Sequence, residues 1–335
     1  MIRVLIVDDS PLVRTIIRDF LENDESFTVV GEAENGLEAL QKARELAPDL
    51  ITMDLEMPVI NGLEAIEGIM KTMNIPIVVI AAKDTAKNVY EATVKGALDF
   101  FAKVNFTTAI SEEKQTFIRS SLKRISGIKA RQKAAVTPEP PPNRKVDVRE
   151  IRGVVIAAST GGPKALMSLC AALPADFPVP VVLVQHNSSG FDAGFVQWLD
   201  DYTPLKVKLA EEPEAPEGGK LYVAPTDKHL TLTGGRFLFD DREPVNNQKP
   251  SADILFKSAA KCWGAGAISV VLTGMGADGA EGTRYIRQAG GITIAQDEGS
   301  SMIYGMPKAA FETGCVDIVL PLEKIPQQLI DLIKP

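Results

Sequence analysis

The feature that most constrains the fold of this chain is the alternation of short apolar runs with segments of helical periodicity. Between residues 1 and 103 five strand-like runs occur: "RVLIVDD", "FTVVGEA", "DLITMD", "IPIVVIAA" and "LDFFAK". Strands that alternate with helices form parallel sheets through right-handed crossovers, and functional groups then gather at the carboxyl ends of the strands. The pattern predicts an α/β domain with five parallel strands.

A second α/β pattern runs from residue 151 to the end, with strand-like "RGVVIAA", "PVPVVLVQ", "KLYVAP", "AISVVLTG" and "GITIAQ" and an amphipathic closing helix in "LEKIPQQLIDLIK". Between the two patterns lies "SGIKARQKAAVTPEPPPNRKVDVRE", whose prolines and mixed charges do not supply a core. We therefore predict an N-terminal domain over residues 1–125, a linker over 126–150 and a doubly wound α/β domain over 151–335.

Composition and charge narrow the functional class. The longest stretch without charged side chains, residues 262–277, has 16 residues and four glycines, too short and broken to span a bilayer. A strand-like run follows Met1 directly and leaves no room for a signal peptide, so we expect a cytoplasmic protein without membrane insertion. The net charge of −8 disfavours a nucleic-acid surface, and three scattered cysteines predict neither disulfides nor structural zinc.

Three acids and one lysine follow strand-like runs of the N-terminal domain. Asp8 and Asp9 end the first run, Asp54 the third and Lys103 the fifth, so a parallel sheet brings them to one edge. A hard cation such as Mg²⁺ relieves the repulsion between the carboxylates and keeps water positions for a phosphoryl oxygen. Asp54 is then a candidate to form an acyl phosphate, with Lys103 neutralising the phosphoryl charge. Each acid alone also fits a helix cap or a turn, but capping does not require acids at several strand ends.

The stretches "VLIVDDS", "DLITMDLEMPVINGLEAI" and "GALDFFAK" closely resemble response-regulator receiver domains, over residues 1 to about 125. The resemblance implies a flavodoxin-like fold with a five-stranded parallel sheet. It makes Asp54 the phospho-accepting aspartate, Asp8 and Asp9 its partners in binding Mg²⁺, and Lys103 the phosphate-contacting lysine.

Two positions depart from the receiver pattern. Ala81 stands where receivers carry a Ser or Thr at the end of the fourth strand, and Val104 replaces the proline that usually follows the lysine. The first change removes the hydroxyl that senses the phosphoryl group. We therefore expect phosphorylation of Asp54 to be only weakly coupled to the rest of the molecule.

The stretch "GVVIAASTGGPKAL", residues 153–166, ends its strand-like part at Ser159 and passes through Thr160 and two glycines before a helical pattern begins. A hydroxyl at this turn fits three functions: a helix cap, a glycine-rich phosphate loop, or a nucleophile on a tight strand-to-helix turn. The stretch alone does not choose between them.

A serine nucleophile needs a base, and the chain has two histidines. His186 directly follows "PVPVVLVQ" and is expected on the same sheet edge as Ser159, whereas His229 lies between two short strand-like runs, where a structural role is more common. Asp278 in "LTGMGADGAEG" and Asp297 in "IAQDEGS" are the candidate partners of the histidine, and the residues alone separate them only weakly. The combination favours a nucleophile, although the chain order Ser, His, Asp differs from the α/β-hydrolases and the familiar serine proteases.

The region from residue 151 onward resembles the catalytic domain of chemotaxis protein-glutamate methylesterases, the CheB family, through "AASTGGP", "QHNSSGF", "LYVAPTDKHL", "PVNNQKPSADILFKS", "LTGMGADGAEG" and "AQDEGSSMIYGMPKAA". The resemblance makes Ser159 the nucleophile, His186 the base and Asp278 its orienting partner. It makes the Met275 N–H an oxyanion donor beside Thr160. Departures are mild: an alanine at 157 for the usual glycine, and "NSS" at 187–189 for the usual "MPP".

The resemblance implies hydrolysis of glutamate γ-methyl esters on the cytoplasmic region of methylated chemoreceptors, with deamidation of receptor glutamines and a chemotaxis histidine kinase as phosphodonor. No cofactor is implied for the esterase reaction; Mg²⁺ serves phosphorylation only. A non-enzymatic regulatory module is the main alternative, and the intact Ser, His and Asp set argues against it. A DNA-binding regulator is disfavoured because residues 151–335 show no basic recognition helix.

Overall fold

The computed structural model describes residues 1–82, 86–106, 111–128 and 150–333. The chain divides into two compact units, residues 1–135 and 136–335. Most of the predicted linker, residues 129–149, lies outside the described residues, so the predicted limits at 125 and 150 stay predictions. Within the described ranges no helix is long and apolar enough to cross a membrane.

The N-terminal unit alternates strands and helices as predicted. Its strands are β1 (Ile2–Val7), β2 (Phe27–Ala33), β3 (Leu50–Met53), β4 (Ile77–Ala81) and β5 (Asp99–Ala102). Its helices are α1 (Pro11–Glu22), α2 (Gly36–Leu46), α3 (Gly62–Thr72), α4 (Ala86–Lys95) and α5 (Glu112–Ser126), with a 3₁₀ turn over Lys103–Phe106.

All five strands pair in parallel in the order β2-β1-β3-β4-β5, the flavodoxin-like order that the resemblance implied. Every residue of β3 and β4 is buried, as expected for strands covered on both faces. Ser10 caps α1, accepting a hydrogen bond from Val13 N at 3.4 Å, and Pro11 fills the first helical position. The chain therefore turns sharply after β1 and leaves Asp8 and Asp9 at the carboxyl edge of the sheet.

The C-terminal unit is longer than the N-terminal unit, and it has more strands than the five that the sequence predicted. Its strands are β6 (Gly153–Ala158), β7 (Val181–Gln185), β8 (Lys206–Leu209), β9 (Lys220–Val223), β10 (His229–Thr233), β11 (Arg236–Asp240), β12 (Ala267–Val271), β13 (Ile292–Gln296) and β14 (Ile318–Leu320). Its helices are α6 (Gly162–Ala171), α7 (Asp192–Asp200), α8 (Ala252–Trp263), α9 (Ala280–Gln288), α10 (Met306–Glu312) and α11 (Ile325–Ile333).

Seven strands form one parallel sheet in the order β14-β13-β12-β6-β7-β9-β8, and β10 and β11 form a separate antiparallel hairpin. The five predicted strands are confirmed as β6, β7, β9, β12 and β13, and the closing helix is confirmed as α11. The central strands β6, β7, β12 and β13 are buried along their whole length. This buried centre fixes the loops that leave its carboxyl edge, where the candidate site lies.

Candidate functional site

Strand register brings Ser159 and His186 to neighbouring positions at the carboxyl edge of the C-terminal sheet. β6 pairs with β7 so that Ala158 lies opposite Gln185, and the next residue on each strand is a candidate catalytic residue. His186 N donates to Ala158 O at 3.0 Å, which continues the ladder by one step. The pairing of parallel central strands therefore juxtaposes the two residues without any long-range loop.

The turn that carries Ser159 is built for close packing, and its serine is not a helix cap. The N-cap of α6 is Gly161, at φ 75°, and no side chain caps this helix. Ser159 N donates to Thr273 O at 3.1 Å, and Ser159 O accepts from Gly162 N at 2.7 Å. With its backbone fixed on both sides and 7% of its surface exposed, Ser159 is held at the turn with its hydroxyl in no internal hydrogen bond among the described residues.

His186 and Asp278 form a hydrogen-bonded pair. His186 Nε2 lies 2.8 Å from Asp278 Oδ2, with 6% and 2% of the two side chains exposed. Since a carboxylate only accepts, Nε2 carries the proton in this bond. Nδ1 is then the bare nitrogen of the neutral ring, and no described residue donates to or accepts from it. The lone pair that can take a proton is therefore on Nδ1, although no hydrogen bond joins Ser159 Oγ to it among the described residues.

The Asp278 carboxylate is held by the start of α8 as well as by His186. Its Oδ1 accepts from Ser251 Oγ at 2.6 Å and from Asp253 N at 3.1 Å, and its Oδ2 accepts from Ala252 N at 2.7 Å. Ser251 is the N-cap of α8, but its hydroxyl donates to Asp278 and does not cap the helix. The Asp278 carboxylate instead accepts from the first N–H groups of α8. Asp278 lies in the loop after β12, so these hydrogen bonds connect the start of α8 to that loop.

These contacts decide the charge of Asp278. Burial acts to raise its pKa. The hydrogen bond from His186, the attraction of that ring when it is charged and the donors at the start of α8 together outweigh burial and hold the pKa of Asp278 below its usual range. The carboxylate is therefore ionised, as a partner that stabilises an imidazolium has to be.

The structure separates the other candidates by their contacts. Asp297 forms a local turn, with Oδ1 accepting from Ser300 N at 2.9 Å and Ser300 Oγ at 2.6 Å, and it makes no contact with His186. His229 is fully buried and bonds through both ring nitrogens to backbone, Ser251 N at 3.1 Å and Glu243 O at 3.1 Å. Of the two aspartates only Asp278 lies with the histidine, and His229 is structural.

The loop after β12 carries Met275, and a buried threonine fastens it. Thr273 Oγ1 donates to Thr160 O at 3.0 Å and accepts from Ile303 N at 2.9 Å, while Thr273 N donates to Gln296 Oε1 at 2.8 Å. The Met275 N–H donates no internal hydrogen bond within the described ranges. The loop thus presents the Met275 N–H as an available backbone donor on a fixed frame.

In the N-terminal unit the predicted acidic edge assembles around Lys103. Lys103 Nζ lies 2.8 Å from Asp54 Oδ2 and 2.9 Å from Asp8 Oδ2, and both carboxylates are buried. Asp9 is exposed, and carboxylate oxygens of Asp8, Asp9 and Asp54 lie within 4.8 Å of one another. Three carboxylate oxygens that converge in this way are the donor set that Mg²⁺ prefers, so these residues fit the predicted ion.

Burial raises the pKa of Asp54, and the neighbouring Asp8 carboxylate adds to the rise, while the Lys103 ammonium offsets it only in part. For Lys103, burial works against the charged form, but its contacts with Asp54 and Asp8 prevail and raise its pKa. The three carboxylates outnumber the single lysine ammonium, so a further positive charge stabilises this arrangement.

Ala81 and Val104, the two departures from the receiver pattern, lie beside this edge. Ala81 is fully buried at the end of β4, opposite Ala102, and Val104 is exposed in the 3₁₀ turn after β5. On β5, the aromatic side chain of Phe100 is buried and packs edge-to-face on Tyr90 with ring centroids 5.3 Å apart. A methyl group thus stands where receivers present a hydroxyl.

The two units together define a class of protein. A receiver-type parallel domain with an acidic cluster at its sheet edge precedes a second parallel α/β domain whose sheet edge carries a serine beside a His–Asp pair. Comparisons with known proteins identify both domains. The CheB methylesterase family model matches residues 154–329, and the response regulator receiver domain model matches residues 4–112.

Relatives extend this match over almost the whole chain. It is 39% identical over 349 residues to a protein-glutamate methylesterase/protein-glutamine glutaminase of Pyrococcus abyssi, covering 98% of this chain and 93% of that protein. It is 37% identical over 347 residues to the protein of the same name from Thermotoga maritima, covering 99% of each. The crystal structure of the Thermotoga maritima CheB methylesterase catalytic domain matches with a TM-score of 0.53 at 40% identity, covering 55% of this chain and 100% of that one.

The chain therefore belongs to the CheB methylesterase family, and it is an enzyme of that family with a response regulator receiver domain. The family and fold class predicted from the sequence are confirmed. Sequence reasoning did not identify Gln185, Ser251 and Thr273, which support the site. A serine before a helical pattern, as in "KPSAD", signals a cap but not the carboxylate that receives its hydroxyl.

Proposed function

We propose that the C-terminal domain hydrolyses glutamate γ-methyl esters on the cytoplasmic region of chemoreceptors and releases methanol. The observation that carries the proposal is the buried His186–Asp278 hydrogen bond at the sheet edge beside Ser159. The names of the relatives supply the substrate class, since both describe methylesterase and glutaminase activity on proteins.

Acylation begins when Ser159 Oγ attacks the ester carbonyl carbon and its proton moves to His186 Nδ1. Because Nε2–H stays bonded to the ionised Asp278, the imidazolium charge forms 2.8 Å from a carboxylate. The C–O bond to the methoxy group then breaks, and the methoxy oxygen takes the Nδ1 proton and leaves as methanol. Water, activated by Nδ1, releases the glutamate carboxylate and restores Ser159.

The tetrahedral intermediate needs donors for its oxyanion. The Met275 N–H is uncommitted within the described ranges, and its loop is fastened through Thr273 to the Thr160 carbonyl. We assign the Met275 N–H as an oxyanion donor and Thr160 as its neighbour in the hole. A donor held in place before the reaction gains most, because no reorganisation accompanies the developing charge.

The same geometry accommodates a receptor glutamine. An amide carbonyl develops the same oxyanion on attack by Ser159, and the leaving nitrogen takes the proton from His186 Nδ1 to depart as ammonia. Deamidation therefore needs no further residue, and we include it in the proposed function.

We propose that the receiver is phosphorylated on Asp54 by a chemotaxis histidine kinase. Mg²⁺, when held by Asp8, Asp9 and Asp54, neutralises the carboxylates and the incoming phosphoryl oxygens. Asp54 Oδ2 faces Lys103 Nζ at 2.8 Å, so the ammonium is placed to stabilise charge on the phosphoryl group. Ala81 offers no hydroxyl to that group, and we infer that phosphorylation biases the receiver weakly.

The esterase proposal is tested by methanol release from methylated receptor membranes with full-length protein. Asp278→Asn should lower the rate by about 10⁴-fold, because the amide selects the wrong histidine tautomer. Asp297→Asn is the matched control, because Asp297 also follows a strand and its carboxylate accepts from Ser300 in its own turn, and it should keep the wild-type rate. Absence of methanol release by the wild type, or a larger loss in Asp297→Asn than in Asp278→Asn, contradicts the assignment.

The receiver proposal is tested by intact-mass analysis after incubation with a small acyl phosphodonor and Mg²⁺. One phosphoryl group should be added to the wild type and removed by hydroxylamine, and Asp54→Asn should acquire none. An adduct that persists in Asp54→Asn contradicts the assignment of Asp54.

A further inference from the structure

The last residue of β7 is a buried glutamine that contacts the backbone of both proposed catalytic residues. Gln185 Nε2 donates to Ser159 O at 3.1 Å and to His186 O at 3.2 Å, and 3% of the residue is exposed. Both neighbours are carbonyl oxygens, which only accept, so the amide nitrogen has to face them. One NH₂ group thus ties the turn of the nucleophile to the loop of the base.

We propose that Gln185 is a positioning residue that sets the approach of Ser159 Oγ to His186 Nδ1. The inference rests on the roles proposed above for Ser159 and His186. The two residues share no side-chain hydrogen bond in this structure, so their relative placement depends on the backbone around them. The Gln185 amide is a direct side-chain link between those two backbone segments.

The amide is not explained by folding stability. Its Oε1 is buried, and no donor among the described residues reaches it. A buried acceptor without a partner opposes folding, so an apolar side chain of similar length avoids a penalty that glutamine incurs. The compensation lies in the two bonds from Nε2, both of which end on residues of the site.

Gly162, the first residue of α6, gives independent support. A Cβ added there would lie 2.1 Å from Gln185 Oε1, whereas the next neighbour, Ala158 Cβ, lies 3.0 Å away. Gly162 has no left-handed φ, so its backbone accepts an alanine, which is also the better helix former. The space that an alanine side chain would need is therefore occupied mainly by the Gln185 amide.

The first test compares Gln185→Met with Thr293→Val in full-length protein. Thr293→Val also removes a buried hydrogen-bonding group of the same sheet, a hydroxyl that lies away from the site and donates to Cys315 O at 2.6 Å. For Gln185→Met we expect kcat for methanol release to fall by roughly 100-fold with little change in KM and in thermal stability. Thr293→Val should lower thermal stability and leave kcat unchanged.

Gln185→Glu adds a chemical control. A carboxylate is similar in size to the amide but cannot donate to two carbonyl oxygens, so its kcat should fall at least as far as that of Gln185→Met. Retention of wild-type kcat by either variant overturns the proposal. An equal fall in kcat for Thr293→Val at a comparable loss of thermal stability overturns it as well, because the effect would then follow stability and not the site.

A double-mutant cycle tests whether Gly162 acts through the amide. Gly162→Ala should reduce kcat by about tenfold or more alone, and much less when added to Gln185→Ala, because the obstructing amide is gone. Equal effects in both backgrounds would show that the methyl group acts on something else.

Labelling of Ser159 by a phosphonofluoridate, a reagent for activated serines, separates the two proposals. The labelling rate should fall in the Gln185 variants in parallel with kcat. If the wild type is labelled at Ser159 but releases no methanol, the substrate class is wrong and the positioning role is still measured by labelling. If Gln185→Met is labelled at the wild-type rate, the positioning role is wrong whatever the substrate.

Discussion

Asp253, in the first turn of α8, carries a buried charge whose energetic consequence can be worked out. Its Oδ1 accepts from Gly279 N at 2.9 Å and Gly282 N at 2.6 Å, and its Oδ2 accepts from Asn246 Nδ2 at 2.8 Å. Burial, with a contribution from the Asp278 carboxylate, outweighs these bonds and raises the pKa of Asp253 to about 6. We predict that Asp253→Asn stabilises the C-terminal domain at neutral pH.

The sign and size follow from linkage. The folded pKa of about 6 lies above the value of 3.8 for an exposed aspartate, so the folded state holds the proton more tightly. The destabilisation is absent below about pH 4, grows as the pH rises and is complete above about pH 6 to 7. A pKa difference of this size between the folded and unfolded states corresponds to about 3 kcal/mol. The amide of the Asp253→Asn variant would keep both N–H bonds through its carbonyl oxygen, and the Asn246 amide can rotate to accept from its nitrogen.

The assay is urea unfolding followed by tryptophan fluorescence at about pH 4.5 and about pH 7.5. Both tryptophans, Trp198 and Trp263, belong to the C-terminal unit, so the signal reports that unit. The advantage of Asp253→Asn over wild type should grow by about 2 kcal/mol between the two pH values, because part of the destabilisation is already present at about pH 4.5. Asp176→Asn, at an exposed aspartate, is the matched control and should show no such growth. A pH-independent difference for Asp253→Asn would refute the reasoning.

Three further predictions concern single side chains. Ser251→Ala should lower kcat for methanol release by about tenfold or more, because it removes the hydroxyl that donates to the Asp278 carboxylate at 2.6 Å. Ser251→Thr keeps a hydroxyl and should restore kcat, and a wild-type kcat in Ser251→Ala contradicts the prediction. The second prediction concerns the ratio of esterase rates with and without a phosphodonor, measured at matched Asp54 occupancy. This ratio should be small in wild type and larger in Ala81→Thr, because a hydrogen bond from the threonine hydroxyl to the phosphoryl group favours the activated state of the receiver by about 1.5 to 3 kcal/mol. A large ratio in wild type that Ala81→Thr leaves unchanged refutes the role given to Ala81. Val59→Gly should stabilise the receiver by about 1 kcal/mol in calorimetry, because Val59 is exposed at φ 70° and gains little from its side chain, and destabilisation would contradict this.

The sequence predicted the buried strands of both sheets but not their edges. β6 and β12 are continuous apolar runs because parallel central strands are covered on both faces. β8, "KVKL", lies at the end of the sheet with lysines at its outer positions, and β14 has three residues. Edge strands bury less surface, so they leave a weaker apolar signal, and the hairpin of β10 and β11 forms outside the main sheet.

The placement of the site was predictable to the extent that it follows strand ends. Ser159 and His186 follow adjacent strands, so the sheet alone brings them together. Asp278 and Asp297 follow β12 and β13, and no local pattern separates them. What distinguishes the two aspartates is the start of α8, whose N–H groups donate to Asp278 and not to Asp297. This contact depends on packing between segments 25 to 26 residues apart in the sequence. The charge of Asp278 was unpredictable for the same reason.

Ser159 is the residue on which the proposed chemistry depends, and methanol release from methylated receptor membranes by wild type and Ser159→Ala tests it most directly. Loss of a triad nucleophile removes on the order of 10⁶ in turnover, so the variant should release no methanol above background while unfolding in urea at the wild-type midpoint. Methanol release by folded Ser159→Ala at a rate near that of the wild type would contradict the assignment of Ser159 as the nucleophile.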